Sequence, residues 1–218
     1  MSSIAQYFNE NRYVVVKNFL DGNTCTLLYN YCINKVLLAD FKKTRCDNEY
    51  QIDWDGSFGD PQIGTESYSC YADPLMETLL QSSQQSMESF TGMDLVPQYT
   101  YWRLYETGDV LVPHTDRESC EISTTLCIGF NNGSQADSYN WKFWVKDNQG
   151  ESIGIDLQPG DMIIYRGVEL EHWRDKYQGA NHAQVFLHYN DKNGKYSEKF
   201  DGRPMLCLPP RFSNKGLR

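Results

Sequence analysis

The feature that most constrains the fold of this chain is a change in sequence pattern after Gly92. From there on, short stretches rich in β-branched and aromatic residues alternate with segments such as NNGS, DNQG and QPGD. Gly, Asn, Asp and Pro at these positions favour turns. The predicted strands are residues 98–105, 109–112, 121–130, 139–146, 151–157, 161–166 and 182–189. Since no helical pattern separates them, a parallel, doubly wound sheet is disfavoured.

The part of the chain before Gly92 shows a different pattern. Residues 12–19 are short, β-branched and aromatic, which predicts a strand. A helix is predicted next, with Asn23 or Thr24 available as its N-cap. Its apolar residues recur at helical spacing: Leu27, Leu28, Tyr31, Cys32 and Val36.

A second helix is predicted over residues 73–90, with Asp73 as its cap and Pro74 in its first turn. Two helices followed by seven or eight short strands predict a mainly β protein with flanking helices (α+β). We expect a double-stranded β-helix core, the jelly roll that cupins share, with the N-terminal helices packed on one sheet. We expect a single domain over residues 1–218: N-terminal support in 1–92, a jelly-roll core at about 97–190 and a C-terminal extension in 191–218.

Charge and cysteine content narrow the classes of partner. The net charge of -9 and the pI of about 4.9 disfavour a broad basic surface for nucleic acid. The seven cysteines form no CxxC motif, and the first 20 residues are too polar for a secretory signal. We therefore expect reduced, mostly buried cysteines in a cytoplasmic protein. The longest apolar runs are far short of a membrane span, so no membrane association is expected.

A histidine and an aspartate lie two residues apart in VPHTD, straight after a predicted strand. Side chains at this spacing on an extended chain point to the same face. His114 and Asp116 on one strand, together with His172 on a later one, would leave several positions open around a metal. This is the ligand set of non-haem Fe(II) oxygenases. A surface His–Asp pair in a loop is the alternative, since isolated motif matches carry a high false-positive risk.

Three stretches, YETGDVLVPHTD, GDMIIYRGVELEHWRD and HAQVFLHY, together resemble the 2-oxoglutarate/Fe(II)-dependent dioxygenase superfamily, and within it the prolyl-4-hydroxylase-like branch. The resemblance covers about residues 97–190. It implies that His114, Asp116 and His172 bind Fe(II), that 2-oxoglutarate and O₂ are cosubstrates, and that Tyr105 hydrogen-bonds 2-oxoglutarate. A core aromatic is the alternative role for Tyr105. Because Asp116 is present, the resemblance implies hydroxylation rather than halogenation.

The sequence departs from the family where a cation should pair with the far carboxylate of 2-oxoglutarate. The family places Arg or Lys shortly after the second histidine, but here that window holds His182. A protonated imidazole can take this role, although less reliably than a guanidinium. Arg103 and Arg174 are further candidates, since alternation puts them on the faces of Tyr105 and His172. Salt bridges to acids of the protein are the alternative for both arginines.

The last predicted strand alternates between a polar and an apolar face. The polar face suits the lining of a site and carries His182, Gln184, Phe186 and His188, while the residues between them should face the helices. For His188 and Gln184 we expect hydrogen bonds that support a metal ligand, rather than coordination of the metal itself. A core histidine with satisfied hydrogen bonds is the alternative.

The substrate is the least determined part of the prediction. The resemblance implies a peptide, protein or amino-acid substrate, with a prolyl residue or a free amino acid as the leading targets. A cupin-type metal-binding isomerase or sensor without oxygenase activity is the alternative, since one fold hosts many functions. Residues 46–70 are rich in Gly, Asp and Ser and predict a loop, either a lid or substrate clamp or an ordinary connection.

Overall fold

Two antiparallel β-sheets form the centre of the computed structural model, which describes residues 3–45, 56–63, 66–136 and 138–210. The helices are α1 (Ser3–Asn11), α2 (Gly22–Arg45) and α3 (Pro74–Thr91). The strands are β1 (Tyr13–Val16), β2 (Ser57–Phe58), β3 (Tyr68–Tyr71), β4 (Leu95–Glu106), β5 (Leu111–His114), β6 (Ile122–Asn131), β7 (Phe143–Lys146), β8 (Ser152–Ile155), β9 (Met162–Arg166), β10 (His172–Arg174) and β11 (Asn181–Asp191).

The large sheet has the order β1-β9-β6-β11-β4-β3-β2 and the small sheet the order β5-β10-β7-β8. After Gly92, consecutive strands therefore alternate mostly between sheets, which is the jelly-roll connection. The predicted double-stranded β-helix is confirmed. The strand β10 carries His172, as expected, but no bounds were predicted for it, because three residues are too few to show a period. The strand β2 and most of β3 lie inside the segment 46–70 that was predicted as a loop. Residues 46–55 and 64–65 of that segment fall outside the described residues.

The N-termini of α2 and α3 are each capped by an aspartate side chain. Asp73 caps α3 as predicted, accepting hydrogen bonds from the backbone N–H groups of Leu75 and Met76 at 3.0 and 3.4 Å. The predicted N-cap of α2, Asn23 or Thr24, was wrong by two or three residues. Its cap is Asp21, whose Oδ1 accepts from the N–H groups of Asn23 and Thr24 at 2.9 and 3.0 Å. The helix α1 was not predicted, since only two of its residues, Ala5 and Phe8, are buried.

The helices pack on the large sheet, as predicted. Helix residues such as Phe8, Leu28 and Leu80 join sheet residues such as Trp102 and Leu187 in one buried apolar cluster. The predicted alternation along β11 is also confirmed, because its apolar set lies in this cluster: Ala183, Val185, Leu187 and Tyr189. Burial of each large side chain contributes about 1.5–3 kcal/mol. The opposite face of β11 is thereby turned into the barrel.

The remaining composition-based expectations concern cysteines and membranes. The six described cysteines are free, and five of them are buried. Cys46 lies outside the described residues. No described helix is both long and apolar enough to cross a bilayer. The extent of a single domain over residues 1–218 stays a prediction.

Candidate metal centre

The pairing of β5 with β10 places His114 directly opposite His172. The Nε2 atoms of these histidines lie 3.7 and 3.6 Å from Oδ1 of Asp116. One ligand atom from each of the three residues falls within 4.8 Å of the other two. His114 and Asp116 were predicted to share a strand, but β5 ends at His114 and Asp116 lies just beyond it. The structure thus brings two imidazoles and one carboxylate together at the edge of the small sheet.

Both imidazoles are held in the tautomer that a metal requires. Nδ1 of His114 lies 2.8 Å from the carbonyl oxygen of Val112, and Nδ1 of His172 lies 2.9 Å from that of Leu170. Because a carbonyl can only accept, each Nδ1 carries the proton, and each Nε2 is left as the acceptor nitrogen on the side of Asp116. Burial also lowers the pKa of His172, which favours the neutral form that binds metals.

The Asp116 carboxylate is oriented from behind. Its Oδ2 accepts a hydrogen bond from Ser123 Oγ at 2.9 Å, and its backbone N–H donates to the Gly167 carbonyl at 2.8 Å. Oδ1 is then the oxygen that faces the two histidines. Such supporting hydrogen bonds fix a ligand's orientation before the metal arrives.

His188 completes this support. Its Nδ1 lies 2.9 Å from Ser123 Oγ, whose single proton is used toward Asp116 or the Cys120 carbonyl. Both of those partners only accept, so Nδ1 of His188 must be the donor to Ser123. Burial lowers the pKa of His188 to about 4, which keeps the ring neutral. This contact accords with the supporting role expected for His188, and the role itself stays a prediction.

A cavity of about 350 Å³ opens beside the three converging side chains. Its walls combine aromatic rings with charged and polar groups, including Tyr99, Tyr101, Phe186, Arg103, Arg117 and Asp60. Arg117 lies beyond the end of β5, so strand alternation does not determine where its side chain points. It borders the cavity and forms a two-pronged salt bridge with Asp201.

Arg103, one of the three candidate cations, is already neutralised by the protein. Its Nε donates to Asp60 Oδ2 at 2.6 Å, and both side chains are almost fully buried. Its two Nη groups donate to Tyr105 Oη, at 3.1 Å, and to Gln62 Oε1. Burial of a charge is tolerated when a partner compensates it. Asp60 provides that partner, so Arg103 does not require a bound anion.

Arg174 is in the opposite situation. It is 1% exposed, its Nη1 donates to the carbonyl of Trp141 at 2.7 Å, and its guanidinium lies 4.4 Å from the centre of the Trp141 ring. Within the described part of the chain, its Nη2 has no hydrogen-bond partner and its guanidinium forms no salt bridge. Burial lowers the pKa of Arg174, which reflects this cost. A buried guanidinium that no carboxylate neutralises favours the binding of an anion.

His182 lies in the same interior region but lacks charge. Its Nε2 is 3.0 Å from Gln184 Nε2 and 3.8 Å from Cys127 Sγ. Burial and the neighbouring charge of Arg174 lower the pKa of His182 far below its ordinary value. The protonated imidazole considered from the sequence is therefore disfavoured. Beside it, Oε1 of Gln184 has no hydrogen-bond partner among the described residues.

Four residues of this region escaped sequence reasoning: Asp60, Gln62, Ser123 and Gly167. Asp60 and Gln62 belong to the predicted loop 46–70, and no motif distinguishes them there. They nevertheless reach the site, with Gln62 Nε2 only 2.8 Å from Nε2 of His114. Their partners lie more than 40 residues away along the chain, so no local pattern could identify them.

Comparison with known proteins gives a clear result for the fold alone. No protein-family model matches the sequence, and no curated protein does. A Pseudomonas putida prolyl-4-hydroxylase structure aligns over 87% of this chain and 97% of its own, with a TM-score of 0.60 and 13% identity. A Trichoplax adhaerens prolyl hydroxylase in complex with a hypoxia-inducible-factor peptide aligns over 89% of both chains, with a TM-score of 0.59 and 13% identity.

A third structure is EctD from S. alaskensis with 2-oxoglutarate and 5-hydroxyectoine. It aligns over 88% of this chain and 76% of its own, with a TM-score of 0.65 and 15% identity. At these identities the likeness establishes the fold: this chain has the double-stranded β-helix fold of 2-oxoglutarate-dependent oxygenases. The resemblance stated from the sequence is confirmed at that level.

Proposed function

We propose that this protein is an Fe(II)- and 2-oxoglutarate-dependent dioxygenase that hydroxylates a peptidyl residue, such as proline, or a free amino acid. One observation carries the proposal: two imidazole nitrogens and one carboxylate oxygen converge beside an accessible cavity. This donor set suits Fe(II) and leaves coordination positions for other ligands. A structural zinc site would use four protein ligands and close those positions.

The chain's own residues have separate tasks in this proposal. His114, Asp116 and His172 would hold Fe(II), while Ser123 and His188 orient the carboxylate. When bound, Fe(II) would activate O₂ for the hydroxylation of a C–H bond, and 2-oxoglutarate would supply two electrons through its oxidation to succinate and CO₂.

We assign the far carboxylate of 2-oxoglutarate to Arg174. Arg174 is two residues beyond His172 on the same strand, about 7 Å along it. That separation suits a five-carbon dicarboxylate anchored at the metal by its other end. The dicarboxylate would have to extend past the residues that line the cavity, since Arg174 is not one of them. Among the described residues, neither a carboxylate nor an acceptor for Nη2 pairs with Arg174. This favours Arg174 over Arg103, which Asp60 neutralises, and over His182, which is neutral. Tyr105 stays a candidate through its hydroxyl beside Arg103.

The substrate proposal rests on the cavity and on the neighbours. The neighbours comprise a prolyl hydroxylase with a bound peptide and an enzyme with bound 5-hydroxyectoine. The cavity offers aromatic walls and the Arg103–Asp60 pair, which suit a polar amino-acid side chain or a small zwitterion. A cytoplasmic location and the absence of a nucleic-acid partner stay predictions from the sequence.

Anaerobic titration of the metal-free protein with Fe(II) and 2-oxoglutarate tests the proposal. We expect the weak visible charge-transfer absorption of this chelate in the wild type and in the surface control Asp156→Ala, and its loss in Asp116→Ala. An unchanged spectrum in Asp116→Ala would refute the ligand assignment. Succinate formation that depends on 2-oxoglutarate then separates an oxygenase from a cupin-type isomerase or sensor.

A further inference from the structure

The Gln62 side chain occupies the lone pair of His114 that a metal ion would need. Gln62 Nε2 and His114 Nε2 are 2.8 Å apart. Since Nδ1 of His114 donates its proton to the Val112 carbonyl, Nε2 must accept, and the Gln62 amide must donate. One lone pair cannot serve both an amide proton and a metal ion.

The segment that carries Gln62 is anchored independently of His114. The Gln62 backbone N–H donates to Asp60 Oδ1 at 2.9 Å, and Asp60 Oδ2 accepts from Arg103 and from Tyr101 at 2.6 and 2.8 Å. Ile63, the next residue, is buried among aromatic rings of the barrel interior. The backbone of the segment can therefore stay in place while the Gln62 side chain moves.

The other end of the Gln62 amide is bonded as well. Its Oε1 accepts from Nη2 of Arg103, a residue that lines the cavity. When the amide leaves His114, this bond must rotate or break too, because both ends belong to one planar group. Gln62 thus connects the metal-binding nitrogen of His114 to the cation of the cavity wall.

We propose that Gln62 is a displaceable cap on His114, which lowers the metal affinity of the ligand-free site and, when displaced, frees an N–H of Arg103 toward the cavity. The inference rests on the proposed metal centre and adds a residue that sets its affinity. Metal binding must break the Gln62–His114 hydrogen bond before it can form the His114–metal bond. Removing the amide removes that competition.

Calorimetric titration of the metal-free protein with Mn(II), in the absence of 2-oxoglutarate, tests the cap. Leucine fills part of the volume of glutamine but cannot donate a hydrogen bond. We expect Gln62→Leu to bind Mn(II) about fivefold more tightly than the wild type, the effect of one hydrogen bond. Gln149→Leu, in an exposed turn, is the matched control and should bind like the wild type. Gln62→Ala should repeat the gain if leucine perturbs thermal unfolding.

The outcomes separate this inference from the proposed function. Binding that Asp116→Ala abolishes and Gln62→Leu tightens supports both. Wild-type binding that is lost in Asp116→Ala but unchanged or weakened in both Gln62 variants overturns the cap and leaves the metal centre intact. Absence of Mn(II) binding in the wild type overturns both.

Discussion

A Cβ atom at residue 167 would lie 2.5 Å from Oδ2 of Asp116. The same atom would lie 2.7 Å from Ser123 Oγ and against the carbonyl of Cys120. Gly167 does not have a positive φ, so space and not backbone freedom makes a side chain unacceptable there. The Asp116 carboxylate sits in the room that Gly167 leaves, while the Gly167 carbonyl accepts the Asp116 N–H.

Gly167→Ala should therefore weaken metal binding without removing any ligand. The methyl group would displace the Asp116 carboxylate from its position facing the two histidines. Loss of the groups that orient a metal ligand typically lowers metal affinity by about 10–100-fold. Mn(II) titration measures the loss. Gly22→Ala is the control, since nothing lies within 4 Å of a Cβ at that position. Equal affinity in Gly167→Ala and the wild type would show that the carboxylate does not depend on this space.

Ser123→Ala should reduce both metal affinity and stability. The change leaves Asp116 Oδ2 and Nδ1 of His188 without their shared partner. We expect about a tenfold loss of Mn(II) affinity. We also expect the free energy of unfolding to fall by about 1–3 kcal/mol, the cost of unsatisfied buried groups. Urea denaturation measures the second effect, and the exposed Ser152→Ala should show neither.

Arg174→Met should separate cosubstrate binding from stability. Methionine keeps apolar volume but removes the buried charge that no described carboxylate balances. We expect 2-oxoglutarate affinity to fall by about 10-fold or more, since charge-assisted bonds contribute about 1.5–3 kcal/mol. Mn(II) affinity should be retained, and the ligand-free protein should unfold no more easily than the wild type.

Isothermal titration and thermal unfolding make the Arg174 comparison, with Arg166→Met as the control near the protein surface. A marked loss of stability in Arg174→Met, with unchanged 2-oxoglutarate affinity, would mean that this arginine serves only the packing around Trp141. The far carboxylate would then have to be bound elsewhere, and Arg103→Met would be the next variant to measure.

The free energy of unfolding of the metal-free protein should fall as the pH is lowered from 6.5 to about 4. His188 has a pKa of about 4 in the folded protein, whereas an unfolded histidine titrates near 6.5. In this window the unfolded chain binds a proton that the folded protein does not, so the free energy of unfolding falls as the pH falls. Above pH 6.5 neither state is protonated at His188, and its contribution is constant.

The size of this effect is roughly 3 kcal/mol for His188. Denaturation at pH 7 and pH 5 should show a smaller difference for His188→Asn than for the wild type. A residual difference should remain, because the pKa values of His172 and His182 are also lowered by burial. Identical pH dependence in both proteins would mean that His188 is not buried as a neutral ring.

Local patterns in the sequence determined the architecture of this protein. Strand periodicity and turn residues after Gly92 are sufficient for the jelly roll, and the alternation along β11 is sufficient to place its apolar face against the helices. The spacing of His114 and Asp116 is likewise local, since two residues of nearly extended chain span it. Short elements such as α1 and β10 fell below the length at which a period becomes visible.

Only the tertiary structure decided which of the candidate cations is paired with a carboxylate and which is not. Arg103, Arg174 and His182 were equivalent candidates in the sequence, but their states depend on partners and burial contributed by distant residues. Asp60, 43 positions from Arg103, neutralises it; no carboxylate reaches Arg174 among the described residues; and burial keeps His182 neutral. Electrostatic energy and desolvation depend on distances in space rather than along the chain, so the contact of Gln62 with His114 was also visible only after folding.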